Sequence, residues 1–240
     1  MQKIILGDCL EKMSEIPDQS IDLILCDLPY GTTACKWDIV IPFDKLWACY
    51  TKIIKDSAPI VLFGQEPFSS YLRLSNINNY KYDWYWKKER LTNIFQVKRR
   101  PGKVVETISV FYDKQCLYNP QKTNYTGPLR TNKIKDGKLG KLVDNNERRP
   151  NEYKDDRTRN PIEILEFKRD ILTSNLHPTQ KPVALCEYLI KTYTNEGDTV
   201  LDNCFGGGTT LVAAKNLNRS FIGIEKDESY FNIAKERLNL

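Results

Sequence analysis

A carboxylate, a proline and a tyrosine stand close together in the tetrapeptide Asp27-Leu28-Pro29-Tyr30. The apolar run before it, residues 21–26, has the length and composition of a buried strand. An open α/β sheet places its ligand groups at the carboxyl ends of such strands. The Asp27 carboxylate and the Leu28 carbonyl can accept hydrogen bonds, and the Tyr30 ring offers a stacking face. These groups suit a flat aromatic amine, although an ordinary strand ending in an Asp-x-Pro turn has the same composition.

A second short strand, residues 199–202, leads into a glycine-rich loop and a helical pattern over residues 211–217. Glycines let the backbone approach a ligand closely, and the free N–H groups of a helix start point at what is bound. A third strand, residues 221–225, ends in Glu225, near the spacing at which an acid reaches ribose hydroxyls. Together these features predict a site for a ribose-bearing cofactor.

The two stretches, with the motif His177-Pro178-Thr179-Gln180-Lys181-Pro182 between them, resemble the β-class amino-methyltransferases of DNA. In that family an Asp-Pro-Pro-Tyr-like motif comes first, and a target-recognition region follows. A motif like His-Pro-Thr-Gln-Lys-Pro and the S-adenosylmethionine loop come last. The resemblance extends from Gly7 to Leu238 and is weakest over residues 119–171. Leu28 stands where the family usually has a proline, but the family uses the backbone carbonyl there, which leucine also has. Cys204 stands where the loop usually has phenylalanine.

The resemblance implies a site-specific enzyme, of phage or restriction-modification type, that moves a methyl group from S-adenosylmethionine to the N6 amine of a flipped adenine. An Asp in the first catalytic position is typical of the adenine-N6 subgroup, because cytosine-N4 relatives usually carry Ser there. The residues expected to carry catalysis are Asp27, Leu28, Pro29 and Tyr30. Those expected to bind the cofactor are Asp8, Cys9, Asp27, Thr179, Gln180, Lys181, Asp202, Asn203, Cys204, Phe205, Gly206, Gly208, Thr209 and Glu225.

Three alternatives stay open at this point. The first is transfer to cytosine N4, which would use the same geometry on another base. The second is a DNA-binding module that keeps the fold without catalysis. The third concerns residues 179–181 alone, which could cap the helix that follows them instead of binding the cofactor.

Basic residues are concentrated in one stretch of the chain. Residues 87–103 hold seven lysines and arginines against one glutamate, so the rest of the chain is nearly neutral although the whole carries +5. Such a stretch suits a polyanion, here double-stranded DNA, although a solvated basic loop would look the same. The residues expected to contact DNA are Lys36, Asn93, Lys98, Arg99, Arg100, Arg148 and Arg149.

Elsewhere strands alternate with helices, which predicts a mostly parallel α/β sheet with helices on both faces. Because the cofactor loop comes late and the catalytic strand early, we expect the circularly permuted, Rossmann-like methyltransferase fold. A helix is predicted over residues 43–56. Residues 119–168 show no sustained periodicity, which predicts a segment that is partly disordered or ordered by its ligand. We therefore assign residues 1–118 to the catalytic half, 119–171 to a target-recognition insertion and 172–240 to the cofactor-binding half of the same domain.

The seven cysteines are scattered, none forms a Cys-x-x-Cys pair, and His177 is the only histidine. We therefore expect reduced thiols and no metal site. The sequence has no apolar run long enough for a membrane span, and we expect a cytoplasmic protein that acts on DNA. A homodimer and a cognate restriction endonuclease are further partners that the sequence leaves open.

Overall fold

The computed structural model describes residues 1–32, 38–128, 156–170 and 180–240. The strands are β1 (Gln2–Leu6), β2 (Leu23–Cys26), β3 (Ile60–Gly64), β4 (Tyr80–Lys87), β5 (Val105–Phe111), β6 (Thr123–Asn124), β7 (Thr158–Arg159), β8 (Ile164–Glu166), β9 (Thr199–Asp202) and β10 (Ser220–Glu225). The helices are α1 (Cys9–Lys12), α2 (Phe43–Ile53), α3 (Phe68–Ser75), α4 (Val183–Tyr193), α5 (Thr209–Asn216) and α6 (Glu228–Leu238), with 3₁₀ turns at Met13–Glu15 and Ile94–Gln96.

The chain divides into two compact units, one made of residues 1–119 and 162–240 and the other of residues 120–161. In the smaller unit, β6 and β7 form an antiparallel pair. The guanidinium of Arg159 lies 3.7 Å from the centre of the Tyr125 ring. The assignment of residues 119–171 to target recognition stays a prediction.

The larger unit is built on one sheet with the order β1-β10-β9-β2-β3-β5-β4-β8. Among the described strands of this sheet, only β5 runs against its neighbours, and the other pairs are parallel. The pleat sends alternate side chains to opposite faces. In β2, Leu23 and Leu25 pack with residues of α4, α5 and α6, whereas Ile24 and Cys26 pack with residues of α1, α2 and α3. The predicted sheet with helices on both faces is therefore confirmed.

The reversed strand β5 places further residues at the edge formed by the carboxyl ends of the parallel strands. β5 starts where β2, β3 and β4 end, so its second residue, Glu106, reaches the edge formed by their carboxyl ends. The connection between β4 and β5, residues 88–104, also leaves and rejoins the sheet at that edge. We call it the β4–β5 loop.

Two local predictions were wrong. Helix α2 ends at Ile53 and not at residue 56, because Ile54 is extended and forms a parallel bridge with Ile21. The segment predicted to lack regular structure contains β8, which pairs with β4 at the edge of the sheet. A strand of three residues is too short to show alternation in the sequence.

None of the helices in the described ranges is long and apolar enough to cross a membrane.

We predict that Leu25→Ala lowers the free energy of unfolding by about 2–5 kcal/mol, because it opens a cavity in a close-packed core. Leu25 is fully buried in the strand that leads to Asp27. The matched control is Leu74→Ala on α3, where the side chain is mostly exposed, and a change below about 0.5 kcal/mol is expected there. Urea unfolding measures both, and equal effects of the two substitutions would contradict this account of the core.

Candidate active site

A cavity of about 510 Å³ lies at the carboxyl ends of the parallel strands. Its walls come mainly from the residues that follow β1, β2, β9 and β10, which are neighbours in the sheet. Strands that end together bring segments distant in sequence to one edge. The volume falls within the roughly 300–1,000 Å³ that small-molecule sites occupy.

Most of the predicted catalytic and cofactor residues meet in this cavity. Those that line it are Asp8, Cys9, Asp27, Leu28, Pro29, Tyr30, Gln180, Lys181, Asp202, Asn203, Cys204, Phe205, Gly206, Thr209 and Glu225. Sequence reasoning missed an apolar part of the wall formed by residues 39–42, together with Phe63 and Tyr230. Thr179, Lys36, Arg148 and Arg149 lie outside the described residues.

Gly208 was expected to bind the cofactor, but in the structure it lies between two helices. Its N–H donates to the Phe205 carbonyl at 2.8 Å, and its φ of 77° is left-handed. A Cβ added here would stand 2.9 Å from the Cβ of Ala234 on α6. Gly208 therefore allows the start of α5 to pack against α6, and the structure does not bring it to the cavity wall.

Glu225 is held at the cavity wall by backbone N–H groups. Gly206 donates to its Oε2 at 2.8 Å, and Lys226 and Asp227 donate to its Oε1 at 2.8 Å each. Burial raises the pKa of the carboxyl, and these three N–H groups counter the effect only in part. The acid expected to bind ribose is thus fixed in orientation by the glycine loop and the turn after β10.

Asp202 is the most strongly perturbed acid on the cofactor side of the cavity. Burial raises its pKa to about 7, although the Cys204 N–H donates to its Oδ1 at 3.1 Å. The neighbouring Asn203 accepts a hydrogen bond of 2.6 Å from the Tyr50 hydroxyl on α2. The end of β9 is therefore tied to the helical layer on one face of the sheet.

Asp27 lies at the centre of a compact charge cluster. Lys181 Nζ lies 2.5 Å from Asp27 Oδ2, and the Tyr30 hydroxyl donates to Asp27 Oδ1 at 2.5 Å. Burial raises the pKa of Asp27, and the attraction of Lys181 offsets this only partly. The Tyr30 ring packs on Phe68 with the ring centres 4.9 Å apart. Both groups expected to handle the target base are therefore fixed before any ligand arrives.

Two members of this cluster, Glu106 and Lys88, were missed by sequence reasoning. Lys181 Nζ is 2.9 Å from Glu106 Oε1, and Lys88 Nζ is 2.5 Å from Glu106 Oε2. Burial alone would raise the pKa of Glu106, but the two lysines outweigh burial and hold it at about 2. Burial opposes the charged form of Lys181, but Asp27 and Glu106 outweigh it and raise its pKa. The available signal was an acid at the start of a run with the composition of a strand.

Within the β4–β5 loop, the residues predicted to contact DNA are of two kinds. Lys98, Arg99 and Arg100 are exposed. Asn93 instead braces the loop, because its amide donates to the Pro101 carbonyl at 3.0 Å and its oxygen accepts from the Lys103 N–H at 2.6 Å. The amide nitrogen and the oxygen of the Asn93 side chain thus each already form one hydrogen bond within the loop.

Two further members of the basic stretch are paired with acids. Lys88 is largely buried against Glu106, and Lys87 pairs with Glu166 at 2.7 Å on the sheet edge. The charge available to a polyanion is therefore smaller than the sequence count suggests. It is concentrated in the exposed part of the loop.

Comparison with known proteins assigns the chain to a family. The model of the family described as DNA methylase matches residues 21–236. This chain belongs to the DNA methylase family. That membership confirms the family expected from the order of the motifs.

Two curated relatives match nearly the whole chain. The type II methyltransferase M.HpaI of Haemophilus parainfluenzae is 29% identical over 257 residues, covering 99% of this chain and 74% of that protein. The DNA adenine methyltransferase YhdJ of Escherichia coli (strain K12) is 28% identical over 252 residues, covering 99% of this chain and 82% of that protein.

Two solved structures share the fold. The M1.HpyAVI–SAM complex has a TM-score of 0.67 and 27% identity, with full coverage of both chains. The cytosine-N4-specific PvuII DNA methyltransferase has a TM-score of 0.71, covers 98% of this chain and 85% of that one, and is 17% identical. The second likeness, at that identity, shows the fold alone. The predicted Rossmann-like methyltransferase fold is confirmed.

We predict that Asp202→Asn raises the free energy of unfolding at about pH 8 by about 1 kcal/mol or more relative to the unsubstituted protein. The folded-state pKa of Asp202 is about 7, against about 3.9 for an unfolded chain. The contribution of protonated Asp202 to stability is thus complete below the pKa of the unfolded chain. It is lost as the pH rises through the pKa of the folded protein.

Urea unfolding between about pH 5 and about pH 8 measures this contribution. Asp18→Asn, at an exposed acid on the surface, is the control and should keep the pH dependence of the unsubstituted protein. An Asp202→Asn protein that loses as much stability over this interval as the control would contradict the assignment.

Proposed function

We propose that this DNA methylase transfers a methyl group from S-adenosylmethionine to the N6 amine of an adenine in double-stranded DNA. The observation that carries the proposal is the fixed Asp27–Tyr30 pair in the wall of a cavity of cofactor size. Membership in the family and similarity over 99% of this chain to an adenine methyltransferase support it.

The chemistry follows from the acceptors beside Tyr30. An exocyclic adenine amine is a poor nucleophile because its lone pair is delocalised into the ring. Asp27 and the Leu28 carbonyl can accept its two hydrogens, which favours the pyramidal amine and stabilises the positive charge that develops on nitrogen. Among the described residues no hydrogen bond to the Leu28 carbonyl is formed, so that acceptor is available. A base inside a duplex must flip out to reach these groups, and Tyr30 offers a ring for it to stack on.

The residues around the cavity fit the proposed cofactor, and a solved relative at 27% identity is a complex with SAM. Glu225 supplies a fixed acid for ribose hydroxyls, and the wall around Phe205 and Ile39 is apolar. The buried side-chain amide of Gln180 has no hydrogen-bond partner among the described residues, as expected of a group that meets a polar ligand. S-adenosylmethionine supplies the electrophilic methyl group, and the protein places the target amine in line with it.

The proposed DNA contact is the exposed part of the β4–β5 loop, which rises from the same edge of the sheet as the cavity. Phe95 is 100% exposed at the 3₁₀ turn of this loop. An apolar side chain presented beside cationic groups suits a wedge between base steps, with Lys98 and Arg99 on the phosphates. We assign the choice of sequence to residues 119–171.

The alternatives have less support. Transfer to cytosine N4 rests on a structure whose likeness shows the fold alone, and Asp27 is typical of the adenine subgroup. A non-catalytic module would not need the ordered cluster around Asp27. A homodimer, a cognate endonuclease and a cytoplasmic location remain predictions.

We predict that Asp27→Ala lowers the rate of methyl transfer at least about 100-fold, because it removes the acceptor on which the developing charge depends. Binding of S-adenosylmethionine, measured by calorimetry, should change by less than about threefold, since Asp27 contributes an acceptor for the target amine. Tyr30→Ala should lose less, because stacking is worth roughly 1–3 kcal/mol per base.

Mass spectrometry of nucleosides from treated duplex DNA identifies the product. Asp56→Ala, at an exposed acid that pairs with Lys114, is the control and should retain activity. A fully active Asp27→Ala enzyme would remove Asp27 from catalysis. N4-methylcytosine as the product would replace the proposed base.

We also predict that Arg99→Gln/Arg100→Gln weakens binding to target and random duplexes alike and reduces the slope of log affinity against log salt by up to about two units. The control is Lys52→Gln/Lys55→Gln, which removes two charges at the amino end of β2, the opposite edge of the sheet. Fluorescence anisotropy across salt concentrations measures all three proteins. An unchanged slope in the loop variant would mean that these arginines do not contact phosphates.

A further inference from the structure

Glu106 is buried beside the reacting groups, yet it neither accepts a hydrogen from the target amine nor contributes to the wall of the cofactor cavity. Its side chain is only 3% exposed, and it is not among the residues that line the cavity. It contacts three residues around Asp27, since its Oε1 lies 2.9 Å from Lys181 Nζ and 3.2 Å from the Tyr30 hydroxyl, and its Oε2 lies 2.5 Å from Lys88 Nζ.

The position of Lys181 creates a difficulty for Asp27 that Glu106 can remove. An ammonium 2.5 Å from Asp27 Oδ2 competes with a target amine for the same carboxylate. A second carboxylate on the opposite side of the ammonium shares its donors and its charge. Lys181 can then remain a neighbour of Asp27 without neutralising it fully.

Charge balance leads to the same conclusion. Asp27, Glu106, Lys181 and Lys88 form two oppositely charged pairs, so the buried cluster is neutral as a whole. Without Glu106 it would carry an excess positive charge beside the place where positive charge develops on the target nitrogen. Like charges in a poorly solvated site repel strongly.

We propose that Glu106 is a positioning residue for methyl transfer, which holds the Lys181 ammonium and the Tyr30 hydroxyl in place and offsets one positive charge, so that Asp27 remains a strong acceptor for the target amine. This inference rests on the proposed function and adds to it a residue that acts through others.

The test compares two glutamates that each pair with a lysine. Glu106→Gln removes the charge and preserves the shape of the side chain. Glu15→Gln is the matched control, because Glu15 pairs with Lys12 at 2.6 Å but is exposed on the surface. Glu106→Asp keeps the charge on a shorter stem.

Glu106→Gln should lower kcat at least about tenfold while the KM for S-adenosylmethionine and the affinity for duplex DNA change by less than about threefold, since the lost interactions act on the transition state. Glu106→Asp should recover part of the loss, and Glu15→Gln should match the unsubstituted enzyme.

The pH profile of kcat separates positioning from a structural role. The ionisable groups around Asp27 are Cys26 and Tyr30 from its own segment, Glu106 from β5, Lys181 and Cys186 from the start of α4, and Asp202 from β9. Glu106 raises the pKa of Asp27, so its removal should lower that pKa. The acid limb of the Glu106→Gln profile should therefore move to lower pH although the plateau rate falls. A protein that is merely less well folded would lose rate without moving the limb.

The outcomes are distinct. Activity of Glu106→Gln equal to that of Glu15→Gln, or a reduced rate with an unmoved acid limb, would overturn the role of Glu106. If the unsubstituted enzyme forms no methylated adenine, the proposed function itself fails.

Should Glu106→Gln not fold, Lys88→Gln/Glu106→Gln removes one charge of each sign and leaves the cluster balanced. A smaller fall in kcat and a smaller shift are expected from it, because the contact with Lys181 is lost while the charge of the cluster stays balanced, and an unchanged kcat would overturn the proposal.

Discussion

The clustering of four charged side chains that are largely withdrawn from solvent is the constraint on which the site depends. Moving each charge out of water costs several kcal/mol, and only close pairing and further hydrogen bonds offset that cost. Asp27, Lys181, Glu106 and Lys88 come from four separate segments of the chain. They meet within hydrogen-bonding distance only if β2, β4 and β5 keep their register and Lys181 is held at the start of α4. The close-packed layers on both faces of the sheet maintain that register, so the stability of the core and the geometry of the site are the same requirement.

The parts of the site that could be predicted from the sequence are those in which neighbours in the chain are also neighbours in space. Asp27 and Tyr30 occur in one turn, and Gly206 and Thr209 occur in one loop and at the start of the helix that follows it. The rule that ligands bind at the carboxyl ends of parallel strands then brings the two together. Glu225 follows by the same rule, because it ends the strand next to the one that carries the loop.

What could not be predicted depends on pairing between distant segments. Glu106 becomes part of the site only because β5 is reversed, and no local pattern distinguishes an antiparallel neighbour from a parallel one in a buried sheet. Lys88 was counted with the basic stretch, since its partner lies beyond the far end of the loop. Asn93 resembles a base-reading residue until the fold of the loop shows both of its polar groups engaged. Gly208 has the composition of the cofactor loop but the environment of a contact between helices.

The reversal of β5 also has a consequence for how such enzymes can diversify. The β4–β5 loop begins and ends at adjacent positions of one antiparallel pair, Lys87 and Val105, and the Lys88 N–H donates to the Val104 carbonyl at 2.7 Å. A connection anchored in this way can change in length or composition at a small cost in closure entropy, and the strands beneath it keep their register. Members of the family could therefore exchange this loop as a unit. The transplanted loop would need a lysine at its first position to pair with Glu106.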